Sequence, residues 1–334
     1  MMGLGGRLLL GCLFYFSVYA VAGHPDPACS IEIRKQNLSN QLQSVGVSTD
    51  QFEQWLAQFP ESERASALAL AERLDLIDYP RFLQMLKQLG QKLQTVVGDL
   101  KSENVVFSRG YVAKSGDLVS YFFRRVNEIP ATHFVNLESR PSGDTLVLLD
   151  DYTGTGTQLL VEVLARKFPK VLPRFRKIVL AFLVANDRAI TRFDRFKSEG
   201  PAALEEIIQE FHMNHQAARA YRTSLSRLDP KQFEFVFVHR DVSFTDSEKE
   251  LLVKHSGTYP PPFGPLGVGN LASRTVFWTG PPNTVPYVFW NPQGKLGEQS
   301  VIPLFARTED ISVYGFSKAI PPEYWIWGRC LHAP

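Results

Sequence analysis

The chain of 334 residues is long enough for one large domain or two ordinary ones, and its 44% hydrophobic, 12% aromatic and 21% charged residues are those of a globular protein. A formal net charge of only +2 excludes a bulk electrostatic drive toward nucleic acid. Cys12, Cys29 and Cys330 lie too far apart for zinc-ligand spacing and are read as ordinary thiols, and no internal repeat or low-complexity tract occurs.

Arg7, the apolar stretch Leu8 to Ala22 and the small-x-small ending Ala20-Val21-Ala22 match a secretory signal peptide. The stretch is shorter than the roughly 20 apolar residues of a membrane-spanning helix. Three readings stay open for residues 1–22: a cleaved signal, a marginal membrane anchor implying attachment, and a segment in front of a misassigned start. The chemistry argued below uses cytosolic metabolites and favours a cytoplasmic location.

From Thr49 to about Gln94 the apolar residues recur at helical spacing. Thr49-Asp50 caps a predicted helix carrying Phe52, Trp55, Leu56 and Phe59, which Pro60 ends. Ala67, Leu68, Leu70, Ala71 and Leu74 form a second stripe. Phe82, Leu83, Met85, Leu86 and Leu89, closing at Gly90, form a third. These stripes are packing faces, and residues 45–98 are expected to be an α-helical N-terminal module able to meet a protein partner.

From about Val105 strands and helices alternate. Val105 to Phe107, His133 to Leu137, Leu146 to Leu149 and Ile178 to Val184 read as strands. Leu118 to Val126 and Leu159 to Phe168 read as helices. Continuous apolar strands between amphipathic helices predict an α/β fold with a parallel sheet covered on both faces. A helix is expected over Ala202 to Phe211 and a strand over Phe233 to Val238. The Pro- and Gly-rich sequence after Gly257 predicts loops, short strands and a flap. The α/β domain with its flap is expected to span 103–310, with a tail over 311–334.

Leu146 to Leu149 runs into Asp150-Asp151-Tyr152-Thr153-Gly154-Thr155-Gly156-Thr157, followed by a helical pattern. In an open parallel sheet, ligands bind beyond the carboxyl ends of the strands. Backbone N–H groups at the helix start, with Gly154 and Gly156 allowing close approach and Thr153, Thr155 and Thr157 adding hydroxyls, make a phosphate nest. Two carboxylates beside it should repel an anion unless the ligand also brings donors, and a ribose 5-phosphate does so through its vicinal hydroxyls. A Mg²⁺ ion held at Asp150 and Asp151 would also offset the charge. The Gly-Lys-Ser/Thr ending of a P-loop is absent, and Leu159 stands where a dinucleotide fingerprint has its third glycine. Upstream, Lys114-Ser115-Gly116 lies between a strand and a helix, where an anion is favoured. His212, His215, His239 and Asp241 match no standard metal site, and no Gly-x-Ser-x-Gly motif occurs.

Asp150 to Thr157 resembles the PRPP-binding loop of type I phosphoribosyltransferases, an apolar strand followed by two acids and a Thr-Gly turn; Gln158 departs from the Ser or Thr that usually ends it. Lys114-Ser115-Gly116 is similar to the pyrophosphate loop of that family. More widely, the chain after about Ser48 resembles the PRTase-CE domains of bacterial conflict (anti-phage) systems. The resemblance lies in Trp55, Gln58-Phe59, the two loops, Gly269-Asn270, Pro282-Asn283-Thr284-Val285-Pro286, Trp290 and Pro303-Leu304-Phe305-Ala306-Arg307. It implies a type I phosphoribosyltransferase-like core binding PRPP or a nucleotide. In such a core Asp150 and Asp151 act on the ribose and Tyr152 to Thr157 hold the 5-phosphate. Lys114 to Gly116 hold the pyrophosphate, Mg²⁺ is the cofactor, and Arg307 is a further phosphate contact. A non-catalytic nucleotide-sensing module is the alternative.

Overall fold

The computed structural model describes residues 31–109, 115–137, 142–157, 160, 171–205, 215–255, 265–282, 284–290, 295–296, 299–300 and 302–305. The expectations for residues 1–22, Lys114, Gln158, residues 159 and 161–168 of the helix expected over Leu159 to Phe168, His212, Arg307, 311–334 and the three cysteines lie outside them.

Four helices lead the chain: α1 Ile31–Gln43, α2 Thr49–Ala57, α3 Glu61–Glu72 and α4 Tyr79–Val97. The cap of α2 is Ser48, whose side chain accepts from the Gln51 N–H, rather than the predicted Thr49-Asp50. Thr49 Oγ1 instead lies 3.0 Å from Ser39 Oγ on α1 and accepts from Gln43 Nε2. Pro60 separates α2 from α3 as predicted. Asp78 caps α4, and Pro80 fits its first turn, where no N–H is needed. This helix does not close at Gly90. It runs on to Gly98, which takes φ +80° and donates to Gln94 O. Gly90 is a notch instead: a Cβ there would lie 2.0 Å from Asn127 Oδ1. Asn127 uses that space to donate to Leu86 O (3.2 Å) and Phe123 O (3.0 Å), tying α4 to the helix that follows.

The main sheet holds β2 Val105–Arg109, β3 Thr145–Thr153, β4 Lys177–Asn186 and β5 Phe233–Asp241, all parallel, in the order β2-β3-β4-β5. Side chains alternate between faces. Val105, Phe107, Val147, Leu149, Val179 and Ala181 pack with α1–α4 and with α5 (Ser115–Val126). Val106, Leu146, Leu148, Ile178, Leu180 and Phe182 pack on the other face with Phe193 and Phe196 of α6 (Asp187–Glu199) and Ala218 and Tyr221 of α7 (His215–Leu225). Apolar residues at both parities are what two covered faces require. The fold is α/β, as predicted.

Three predicted elements differ in extent. β3 continues past Leu149 through the acidic pair to Thr153, because Asp150, Tyr152 and Thr153 keep pairing with Phe182, Val184 and Ala185. The strand expected at His133 to Leu137 shrinks to one parallel bridge, Phe107 to Phe134, after a 3-10 turn over Ala131–His133 set up by Pro130. The helix expected from Ala202 begins as a 3-10 turn, Gly200–Leu204, and its remainder after residue 205 is outside the described residues; α7 had not been predicted.

That single bridge decides the topology. Phe107 pairs with Val147 on one side and Phe134 on the other. The chain therefore leaves β2 through α5 toward the outer edge, whereas it leaves β3 toward β4. The crevice above the carboxyl ends of β2 and β3 is a topological switch point.

A second parallel pair joins β1 (Asp75–Ile77) to β6 (Thr275–Phe277). Val276, Phe277, Trp278, Val285, Tyr287, Val288, Phe289 and Leu304 share one apolar cluster with the leading helices, and Trp55 Nε1 donates to Val288 O at 3.1 Å. Helix α8 (Asp246–His255) packs here too, with His255 Nδ1 3.2 Å from Glu63 Oε2. Asp75 is bonded by Arg81 Nη1 (2.5 Å), and His239 Nε2 of β5 lies 2.9 Å away. Burial pushes its carboxyl upward, but the bonds from His239 and Arg81 outweigh this and hold it down at about 2. Among the described residues no helix is long and apolar enough to cross a membrane. Two further strands, β7 Lys295–Leu296 and β8 Gln299–Ser300, form an antiparallel pair.

Gly90 yields a test. Ala in place of a helical Gly ordinarily gains up to about 1 kcal/mol. Here Gly90→Ala should lose about 1–3 kcal/mol in urea unfolding, because it displaces the Asn127 amide. In an Asn127→Ala background the same change should become neutral or stabilising.

Candidate functional site

The carboxyl end of β3 carries Asp150 and Asp151, and the start of α5 brings Ser115 to them. Ser115 Oγ lies 2.8 Å from Asp151 Oδ1 and 3.3 Å from Asp150 Oδ1. Each carboxylate also accepts a neighbouring backbone N–H, Asp150 from Asp151 (3.0 Å) and Asp151 from Tyr152 (2.8 Å). Two predicted loops, distant in sequence, thus meet in the switch-point crevice. Burial pushes the Asp150 carboxyl well above the usual range, and the charge of Asp151 adds to this. Burial raises Asp151 as well, against the lowering effect of the Ser115 hydroxyl. A closely spaced acidic pair short of donors is a site arranged for hydroxyl donors or a cation.

The turn after β3 has the conformation a glycine must supply. Gly156 takes φ +72°. Gly154 makes room of a different kind, since a Cβ there would meet Thr284 Cγ2 at 2.6 Å and Leu271 Cδ1 at 3.1 Å. Its small size therefore admits the C-terminal segment. The N–H groups of Gly154, Thr155 and Gly156 donate to no acceptor among the described residues. The hydroxyls of Thr155 and Thr157, expected as phosphate donors, bond each other at 3.0 Å, and Thr153 and Thr157 are buried. Above the turn, Gly269 (φ +69°) leaves no space for a Cβ beside Thr155 Cγ2, and its carbonyl accepts from Arg188 Nη1 at 3.0 Å. Asn270 and Ala272 in the same stretch also hold positive φ, strain of a kind that clusters at ligand clamps.

Behind the turn lies a buried polar network that the sequence reading missed. Asp241, 1% exposed at the end of β5, accepts from Tyr152 Oη (2.9 Å), Asn186 Nδ2 (2.8 Å) and Thr275 Oγ1 (2.8 Å). Thr284 Oγ1 donates to the Tyr152 hydroxyl at 3.0 Å. Burial, and then the charge of Asp241, push the Tyr152 phenol well above its usual value, so it stays a neutral donor. Tyr152, predicted to line the phosphate site, has its hydroxyl in this network. Asn186 also caps α6, accepting from the Arg188 N–H at 3.0 Å. The signal for it was an Asn directly after a long apolar strand, a strand-to-cap pattern. Asp241 was visible only as part of an implausible His and Asp metal group, and His239 of that group pairs with Asp75. Among the described residues no group of three or more His, Cys, Asp or Glu side chains gathers to hold a metal.

A parallel sheet with helices on both faces and a glycine-bearing turn beside an acidic pair at its switch point places the chain among open-sheet α/β proteins, whose ligand crevices lie beyond the carboxyl ends of the strands. The family model PRTase-CE matches residues 52–307, from α2 through the C-terminal segment. The chain belongs to the PRTase-CE family and is phosphoribosyltransferase-like. No curated protein and no solved structure matches it.

The raised carboxyl of Asp150 sets a pH test. A group with a folded value above its unfolded one, about 3.9 for Asp, holds protons more readily when folded. Stability is then greatest below the unfolded value and falls as pH rises through the folded one. Asp150→Asn should raise the thermal midpoint at pH 7, with the gain fading toward pH 4. A gain independent of pH would contradict the burial cost assigned to this carboxylate.

Proposed function

We propose that the protein binds PRPP or a nucleotide through its ribose 5-phosphate and acts as a phosphoribosyltransferase-type enzyme. The observation that carries this reading is the Ser115 hydroxyl shared by the carboxylates of Asp150 and Asp151. That hydroxyl stands in for a ribose hydroxyl, and a bound ribose supplies two such donors in its place. The 5-phosphate takes the N–H groups of the Gly154 to Gly156 turn, and Lys114 to Gly116 take the pyrophosphate. With the ribose held, the two carboxylates stabilise positive charge developing at the anomeric carbon, so catalysis rests on positioning and electrostatics. Mg²⁺ suits the same pair, since a cation would offset two half-buried carboxylates held side by side, the charge of Asp151 already raising Asp150; it would supply charge neutralisation for the pyrophosphate. Family membership supports a role as effector or sensor in an anti-phage conflict system, with the leading helices as the surface toward a protein partner.

Gln158, where the family's loop ends in Ser or Thr, favours a second reading, nucleotide sensing without turnover. Calorimetric titration with PRPP and with nucleotides, with and without Mg²⁺, separates the two. Transfer needs a co-reactant, so the enzyme is expected to release pyrophosphate when a nucleobase is added with PRPP, or base when pyrophosphate is added with a nucleotide; binding without turnover in both mixtures selects the sensor. The Asp150→Asn, Asp151→Asn double variant should bind about 100-fold more weakly or worse, having lost two hydrogen bonds to charged groups at roughly 1.5–3 kcal/mol each. Absence of binding to any of these ligands would overturn both readings.

A further inference from the structure

Helix α6 carries Arg192 in its apolar face, between Ala189, Phe193 and Phe196, and only 3% of it is exposed. An arginine is rarely buried this far without a specific task. Its Nη1 donates to Thr155 O at 2.8 Å and to Thr157 Oγ1 at 2.7 Å. A further bond, Thr157 N–H to Thr155 Oγ1 at 3.3 Å, closes the turn on itself. The guanidinium therefore grips the turn from its interior side, at the one peptide that precedes Gly156.

The geometry of that peptide has a consequence for the N–H it carries. In a trans peptide the C=O of one residue and the N–H of the next point in opposite directions. With Thr155 O held on the buried guanidinium, the Gly156 N–H is aimed away from it. Gly156 is itself buried, and its N–H meets no acceptor among the described residues. A main-chain N–H without a protein acceptor needs water or a ligand oxygen, and this one, facing away from the guanidinium, is set to take the ligand oxygen. The left-handed φ of Gly156 permits the orientation and Arg192 enforces it. Asn186 caps the same helix and donates to Asp241, so the helix that presents Arg192 is itself fixed to the ends of β4 and β5.

We propose that Arg192 is the positioning residue of the phosphate turn: by holding the Thr155 carbonyl it directs the Gly156 N–H at the ligand's 5-phosphate, and so makes the site prefer a phosphorylated ribose to ribose itself. This rests on the ribose 5-phosphate reading of the site. The residue acts through the turn and not by touching the ligand.

The test uses ribose 5-phosphate and ribose as probes on the full chain with glycine-selective ¹⁵N labelling. In the wild type, the Gly156 amide proton should shift downfield on adding ribose 5-phosphate and stay in place on adding ribose. Arg192→Met should weaken ribose 5-phosphate binding about 10- to 100-fold, the loss of one hydrogen bond to a charged acceptor, and leave any response to ribose unchanged. Arg192→Lys, which keeps a cation able to reach the Thr155 carbonyl, should recover part of that loss. A wild-type protein that binds ribose 5-phosphate without moving the Gly156 amide overturns this proposal alone, as does an Arg192→Met variant with unchanged affinity. If the Met variant does not fold, the wild-type shift decides. A wild type that binds no ribose 5-phosphate overturns the site reading and this inference together.

Discussion

The buried carboxylate of Asp241 fixes the ends of four strands at one point. It belongs to β5, and its three donors come from β3 (Tyr152), the end of β4 (Asn186) and β6 (Thr275). A buried charge is tolerable only when its hydrogen-bonding capacity is met, and a partly met network costs more than an apolar core. The four elements must therefore arrive together or pay the desolvation of that charge. The C-terminal segment, which has little regular structure, is ordered by this requirement and by Gly154, whose missing side chain lets Thr284 and Leu271 close on the turn.

The two acidic centres differ in a way that separates structure from function. Asp241 accepts from three protein side chains. Asp150 and Asp151, at the open end of β3, share one side-chain hydroxyl from Ser115 among the described residues; burial raises both carboxyls, and the charge of Asp151 adds to the rise at Asp150. Natural folds place unrelieved electrostatic cost where a ligand will relieve it. The Asp241 carboxylate, with three side-chain donors, holds the backbone steady, whereas the pair on β3 has one side-chain donor between them among the described residues. A fixed scaffold beneath a glycine-bearing turn is the arrangement that the proposed ribose phosphate site requires.

Much of this was legible in the residues. The parallel sheet followed from the unbroken apolar runs at Leu146 to Leu149 and Ile178 to Val184, because a strand buried on both faces has no polar parity. The acidic pair and the Thr-Gly turn stood out because a nest and two carboxylates demand a ligand with both charges and donors. What escaped was non-local. β1, three residues between two helices, exists because Asp75 to Ile77 pair with Thr275 to Phe277 far along the chain. Gly90 was read as a helix stop, since nothing nearby in sequence announces the Asn127 amide that fills its notch. The shrinkage of the strand at His133 to Leu137 is likewise set by its edge position. Arg192 had a local trace, a lone cation in an apolar stripe, but its target on the turn is a tertiary fact.

The central claim is that the acidic pair receives the ribose whose phosphate occupies the turn after β3. A crystal structure of the protein with ribose 5-phosphate tests it most directly. The account predicts the phosphate against the N–H groups of Gly154 to Gly156, and two ribose hydroxyls on Asp150 and Asp151 where the Ser115 hydroxyl now sits. A ribose phosphate bound elsewhere, with Ser115 still bridging the two carboxylates, would contradict it.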